Sequence, residues 1–281
     1  MAYRGRVPEM VGDVLRVAII VVVLALLGRA ARAAWGNRAL AVRIWRAIRP
    51  RHLLGAVGLM VLVLGTAVTL LVAIPVTGLG AGALVGLEGN AIFAPIDSAL
   101  DAPLQPSPGD GGDAEQTAEV PPVPWADIAL VSTFLGLLVL LFPHLAYAEE
   151  LAFRVGWEDH DLARQVRSAL RFGLLHLIML IPLAAALAVG VAGFVYGRIY
   201  RRAYRRAAVP RVVHPPGRLP LVEDADGFTR LAMGPPSPIT VVDRSGARRQ
   251  AAFEAAVWHT AFNTSIAGLV WLGYVASVLT G

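Results

Sequence analysis

The sequence predicts an all-α fold: a polytopic transmembrane helical bundle of roughly five to seven membrane segments, with an intramembrane cavity on its cytoplasmic side. Three observations carry this. Hydrophobic residues make up 56% of the 281 residues and charged residues only 16%, where a soluble domain carries about a quarter. The excess is gathered into long runs without charge. All 25 basic residues are arginine, clustered between those runs, a pattern of loop topology rather than of nucleic-acid binding. The absence of cysteine and lysine removes disulfides, thiolate nucleophiles, Schiff-base chemistry and P-loop chemistry.

In chain order, residues 1–52 form a membrane segment and a basic helix. Val17 to Gly28 is strongly apolar but 12 residues long, and it crosses only if the helix starts nearer Val11. Arg29-Ala30-Ala31-Arg32 follows it instead of a small-residue cleavage site, so no cleavable signal is expected. Arg29 to Arg51 carries seven arginines with Trp35 and Trp45, which suits either an amphipathic helix on an anionic leaflet or a charged connector. Residues 53–200 are the membrane core. Leu53 to Val76 is uncharged and as a helix is about 36 Å long, enough to cross. Residues 77–125 are rich in Gly, Pro and acids and hold no arginine, as expected of an exterior loop. Ile128 to Ala148 is the next span, broken only by Pro143 and His144.

Gly156 to Arg171 reads as a polar helix. Phe172 to Gly197 contains no Asp, Glu or Arg and one histidine, His176, and Pro182 favours a hairpin or re-entrant pair over one helix. Residues 201–250 read as a Pro-rich cytoplasmic insertion with a strand over Ile239 to Val242, and residues 251–281 as the last membrane helix. His52, His160 and His214 are expected in water, and Glu254 is expected to snorkel to the interface. The excess of arginine over 29–51, 154–171 and 198–249 puts those segments in the cytoplasm, in a bacterial-type cytoplasmic membrane.

Three polar signatures then fall in the same half of the bilayer: Glu149-Glu150-Leu151-Ala152-Phe153-Arg154, Phe172 to His176, and His259 to Asn263. Ionisable groups at membrane depth are costly and are kept facing a bundle interior or a wet cavity. Glu150 and Arg154 share a helix face, as do Phe172 with His176 and His259 with Asn263. Glu149 points about 100° away from Glu150, so one acid is free for proton transfer while its neighbour is held. Two imidazoles and an amide complete a set able to activate water and to donate to an oxyanion.

The three motifs EExxxR, FxxxH and HxxxN, in this order and each beside a membrane boundary, resemble the CAAX-protease and bacteriocin-processing (CPBP, or Abi) family of intramembrane endopeptidases. The resemblance covers about residues 126–200 and 251–280, and the run Gly190 to Tyr200 is similar to the family's Gly-rich helix. It implies that Glu149 activates the hydrolytic water with help from His176, that His259 and Asn263 hold the oxyanion, and that Glu150, Arg154 and Phe172 support them. It implies a membrane-embedded or lipid-modified peptide or protein as substrate, and no nucleic acid. No cofactor is required; the alternative is zinc on Glu149, His176 and His259. The chain departs from compact members in its insertion and its long exterior loop. Two other classes would use the same polar residues: a non-catalytic scaffold or immunity factor of this fold, and a proton-coupled transporter.

Overall fold

The computed structural model describes residues 21, 22, 25, 27–79, 125–179, 181–213, 221–223, 229–231 and 239–280. Residues 27–36 are helical and lead through a turn at Asn37 into α1, Arg38–Ala47. α2 spans Pro50–Ala73, α3 Trp125–Arg154, α4 Leu162–Leu175, α5 Leu183–Ala207 and α6 Arg244–Thr280. Single turns of 3-10 helix, Trp157–Asp159 and His176–Met179, bracket α4.

Four helices, α2, α3, α5 and α6, are long and apolar enough to cross a membrane. The stretch expected as an uncertain first span lies mostly outside the described residues, as does the exterior acidic loop from residue 80 to 124.

Each boundary has a local cause. Pro50 opens α2 at a position where a missing N–H costs nothing. Gly156, at φ 97°, lies in the left-handed region that closes α3 two residues after Arg154. The Asp161 side chain accepts the backbone N–H of Arg164 and caps α4. Pro182 precedes α5, so the break expected there separates α4 from α5. Pro143 sits fully buried inside α3, removing one hydrogen bond from a helix that neighbours on several sides hold in place.

α5 and α6 form the centre. α5 packs on α2, α4 and α6, while α6 packs on α2, α3 and α5, with α1 laid across α3 and α6. Without water to drive helices together in lipid, close backbone approach must supply the contact energy. Small residues provide it: Ala251, Ala252, Ala255 and Ala256 are wholly buried on α6. At Gly173 an added Cβ would run into the carbonyl oxygen of Ala186 and the backbone of Gly190, so α4 and α5 touch main chain to main chain.

Two expected boundaries move. α5 continues through the arginines to Ala207, and α6 begins at Arg244 rather than Ala251. The polar turns are held by ion pairs: Arg206 on α5 with Glu254 on α6, and Arg248 on α6 with Glu158 and Asp159 in the turn after α3. Glu254 is therefore paired rather than snorkelling. Between these helices lie four short strands: β1 Arg211–Val213, β2 Leu221–Glu223, β3 Thr229–Leu231 and β4 Ile239–Val241. β1 pairs antiparallel with β4 and β2 with β3, so the bundle carries two small ladders beside its helices. The strand expected over Ile239 to Val242 is β4.

Candidate functional site

The site assembles where the last turns of α3 meet the middle of α5 and α6. Glu150 and Arg154, one turn apart on α3, are fully buried, with Arg154 Nε 3.5 Å from Glu150 Oε2. The other oxygen of Glu150 lies 3.0 Å from Nδ1 of His259 on α6. His259 Nε2 faces Glu149 Oε2 at 3.6 Å. Glu149 keeps about a third of its side chain exposed (36%), although the oxygen turned to His259 is buried. Arg154, Glu150, His259 and Glu149 thus form one chain of charge-complementary groups between residues 109 positions apart.

Phe172 on α4 is the hinge of the arrangement. Its buried ring has the Arg154 guanidinium over its face at 4.7 Å, the His176 ring at 4.9 Å and the His259 ring at 5.9 Å. The two imidazoles therefore flank one aromatic side chain. His176 Nδ1 lies 2.8 Å from the Phe172 carbonyl oxygen. A carbonyl only accepts, so Nδ1 carries the proton, and in the neutral ring Nε2 keeps a lone pair. Glu150 fixes His259 similarly, as Nδ1–H donates to its carboxylate. Nε2 of His259 is turned to Glu149, so the ring lies between two carboxylates. Asn263 is half-buried, one turn beyond His259, and no protein side chain among the described residues engages its amide.

Three contributors escape the motif pattern. Tyr196 on α5 stacks on His259 at 4.5 Å and 21°, and its buried hydroxyl has no hydrogen-bond partner among the described residues. Trp157 lies under Arg154 at 5.4 Å, its indole N–H donating to Ser168. Gly193 leaves room for both partners, since a Cβ there would come within 2.6 Å of the Phe172 ring and 3.0 Å of the Arg154 guanidinium. The Gly-rich run singled out in the sequence marks this helix; the stacking tyrosine leaves no signal of its own.

Of the remaining histidines, His52 is buried rather than solvated. It accepts the backbone N–H of Arg49 and meets Trp258 edge-on at 4.7 Å. His160 is half-buried, and its carbonyl accepts from Gln165. His214 lies outside the described residues.

A zinc ion on Glu149, His176 and His259 requires three donors turned to one point. Nδ1 of His259 is turned to Glu150 and Nδ1 of His176 to the Phe172 carbonyl, which leaves each ring its Nε2, but no three His, Asp or Glu side chains among the described residues are gathered closely enough to hold a metal.

Compared with family models, with curated proteins and with solved structures, the chain matches none.

Proposed function

We propose that the chain is a CPBP-like intramembrane endopeptidase that hydrolyses a peptide bond in a membrane-associated or lipid-modified peptide. One observation supports this most: Arg154 on α3, His176 at the end of α4 and His259 on α6 meet around the Phe172 ring, and Glu149 and Glu150 on α3 reach the two nitrogens of His259. Glu149, the less buried acid, takes a proton from water, and the His176 Nε2 lone pair orients that water. The hydroxide adds to the scissile carbonyl. The oxyanion then accepts from the Nε2–H of His259 and from the Asn263 amide. On collapse, Glu149 returns its proton to the leaving amine. Glu150 holds His259 and is in turn held by Arg154, a positioning role. The arginine-rich helix ends are assigned to the cytoplasm, with the site opening towards that side.

The test is Glu149→Gln in proteoliposomes carrying a membrane-spanning peptide. Loss of a positioned general base removes about 10²–10⁴-fold of the rate, and because Glu149 is partly exposed the unfolding temperature should hold. Unchanged turnover overturns the assignment.

A further inference from the structure

α4 is three-sided. Its packed face, Gln165, Ala169, Phe172 and Gly173, lies against α5 and the site. At about 100° per residue, the next sector carries Leu162, Val166, Leu170 and Leu174, exposed by 63%, 42%, 42% and 40%. The sector after that carries Arg164, Arg167 and Arg171, all exposed, with no acidic partner for their side chains among the described residues.

A solvated helix face has no use for a row of four large apolar side chains at i, i+4, i+8 and i+12. A membrane span has no place for the arginines, and 14 residues reach only about 21 Å. Both rows are satisfied at once if α4 lies along a leaflet surface, leucines turned to acyl chains and arginines to the headgroups. The neighbouring elements agree. α3 ends and α5 continues into its arginine-rich last turns on the same side of the bundle, where Arg206 and Arg248 join α5 and α6 to their neighbours.

We infer that the outer face of α4 is a binding ridge for anionic phospholipid headgroups, read by Arg164, Arg167 and Arg171 and anchored by the leucine row. The inference does not depend on the hydrolytic reading. Because the opposite face of the same helix carries Phe172, leaflet charge bears directly on the element that supports both imidazoles.

The experiment uses the full chain in proteoliposomes of phosphatidylcholine with and without phosphatidylglycerol, and a spin-labelled phosphatidylglycerol as probe. The intact protein should immobilise this lipid in preference to spin-labelled phosphatidylcholine, and the preference should weaken with salt. Replacing Arg164, Arg167 and Arg171 together by glutamine should lower it steeply, by up to about fivefold per arginine at low salt. The same change at Arg198, Arg202 and Arg205 on α5 should leave most of it. If the α4 variant keeps the full preference, or the intact protein has none, the ridge is a solvated face and the inference falls. A second measurement needs no charge change. The chain has no cysteine, so L170C gives a unique nitroxide site, which should be reached by oxygen from the bilayer and shielded from a water-soluble nickel relaxant. Free access of the relaxant overturns the inference.

Discussion

Where α3 and α6 meet near Val131, Leu135 and Tyr274, they pack through large apolar side chains, helped by Phe134, Val270 and Val278. Towards the other end of the same pair the contact is made by Ala146, Ala256 and Val257, and Glu150 with Arg154 lies beside it without exposure. Large side chains hold helices apart and tolerate gaps, because lipid tails solvate whatever they leave uncovered. Alanine and glycine draw backbones together, shut out lipid, and give buried charges fixed partners. The same two helices therefore make a purely apolar contact at one end and frame a polar network at the other.

Changes at the network end should cost most. Glu150→Leu takes the carboxylate from the buried Arg154 guanidinium, and loss of about 3–5 kcal/mol of stability is expected, read as a fall in thermal unfolding temperature in detergent. Glu150→Leu with Arg154→Leu should recover much of that loss. If the single variant unfolds like the parent, the pair contributes no frame. Next comes backbone contact. Gly173→Ala forces α4 away from Ala186 and Gly190 and should cost about 1–3 kcal/mol. Gly136→Ala, on α3 with nothing within 4 Å of the new methyl, should be neutral or stabilising by up to about 1 kcal/mol. Equal penalties for the two alanines would erase the contrast between a main-chain contact and an open helix face. The smallest effect is expected at the apolar end of the α3–α6 pair. Trp271 donates to Ser132 at 2.8 Å in an exposed position, and Ser132→Ala should change stability by roughly 0.6 kcal/mol, the usual size of one hydrogen bond between membrane helices.

The spans were legible because uncharged runs of bilayer length have few alternative explanations. The motif acids and imidazoles were legible because polarity in such runs is itself a signal. What the residues hid was pairing across the bundle. Glu150 reads from its own helix as the partner of Arg154 alone, at i,i+4; that it also holds His259 depends on how α3 and α6 cross. The polar start of α6 reads as insertion, yet Asp243 accepts the Gly246 N–H at its first turn and Arg248 pairs with Glu158, 90 residues away. His52 reads as solvated beside Arg49 and Arg51, yet Trp258, seated over Gly55, covers it. Tyr196 is one aromatic among several until the α5–α6 contact puts its ring on an imidazole.

The Phe172 ring, shared by a guanidinium and two imidazoles, ties its neighbours together energetically. Replacing any one of them alters the seat of the rest, so their effects will not sum. The spot behaves as one unit, and a change tolerated there alone is not the measure of the same change made beside another.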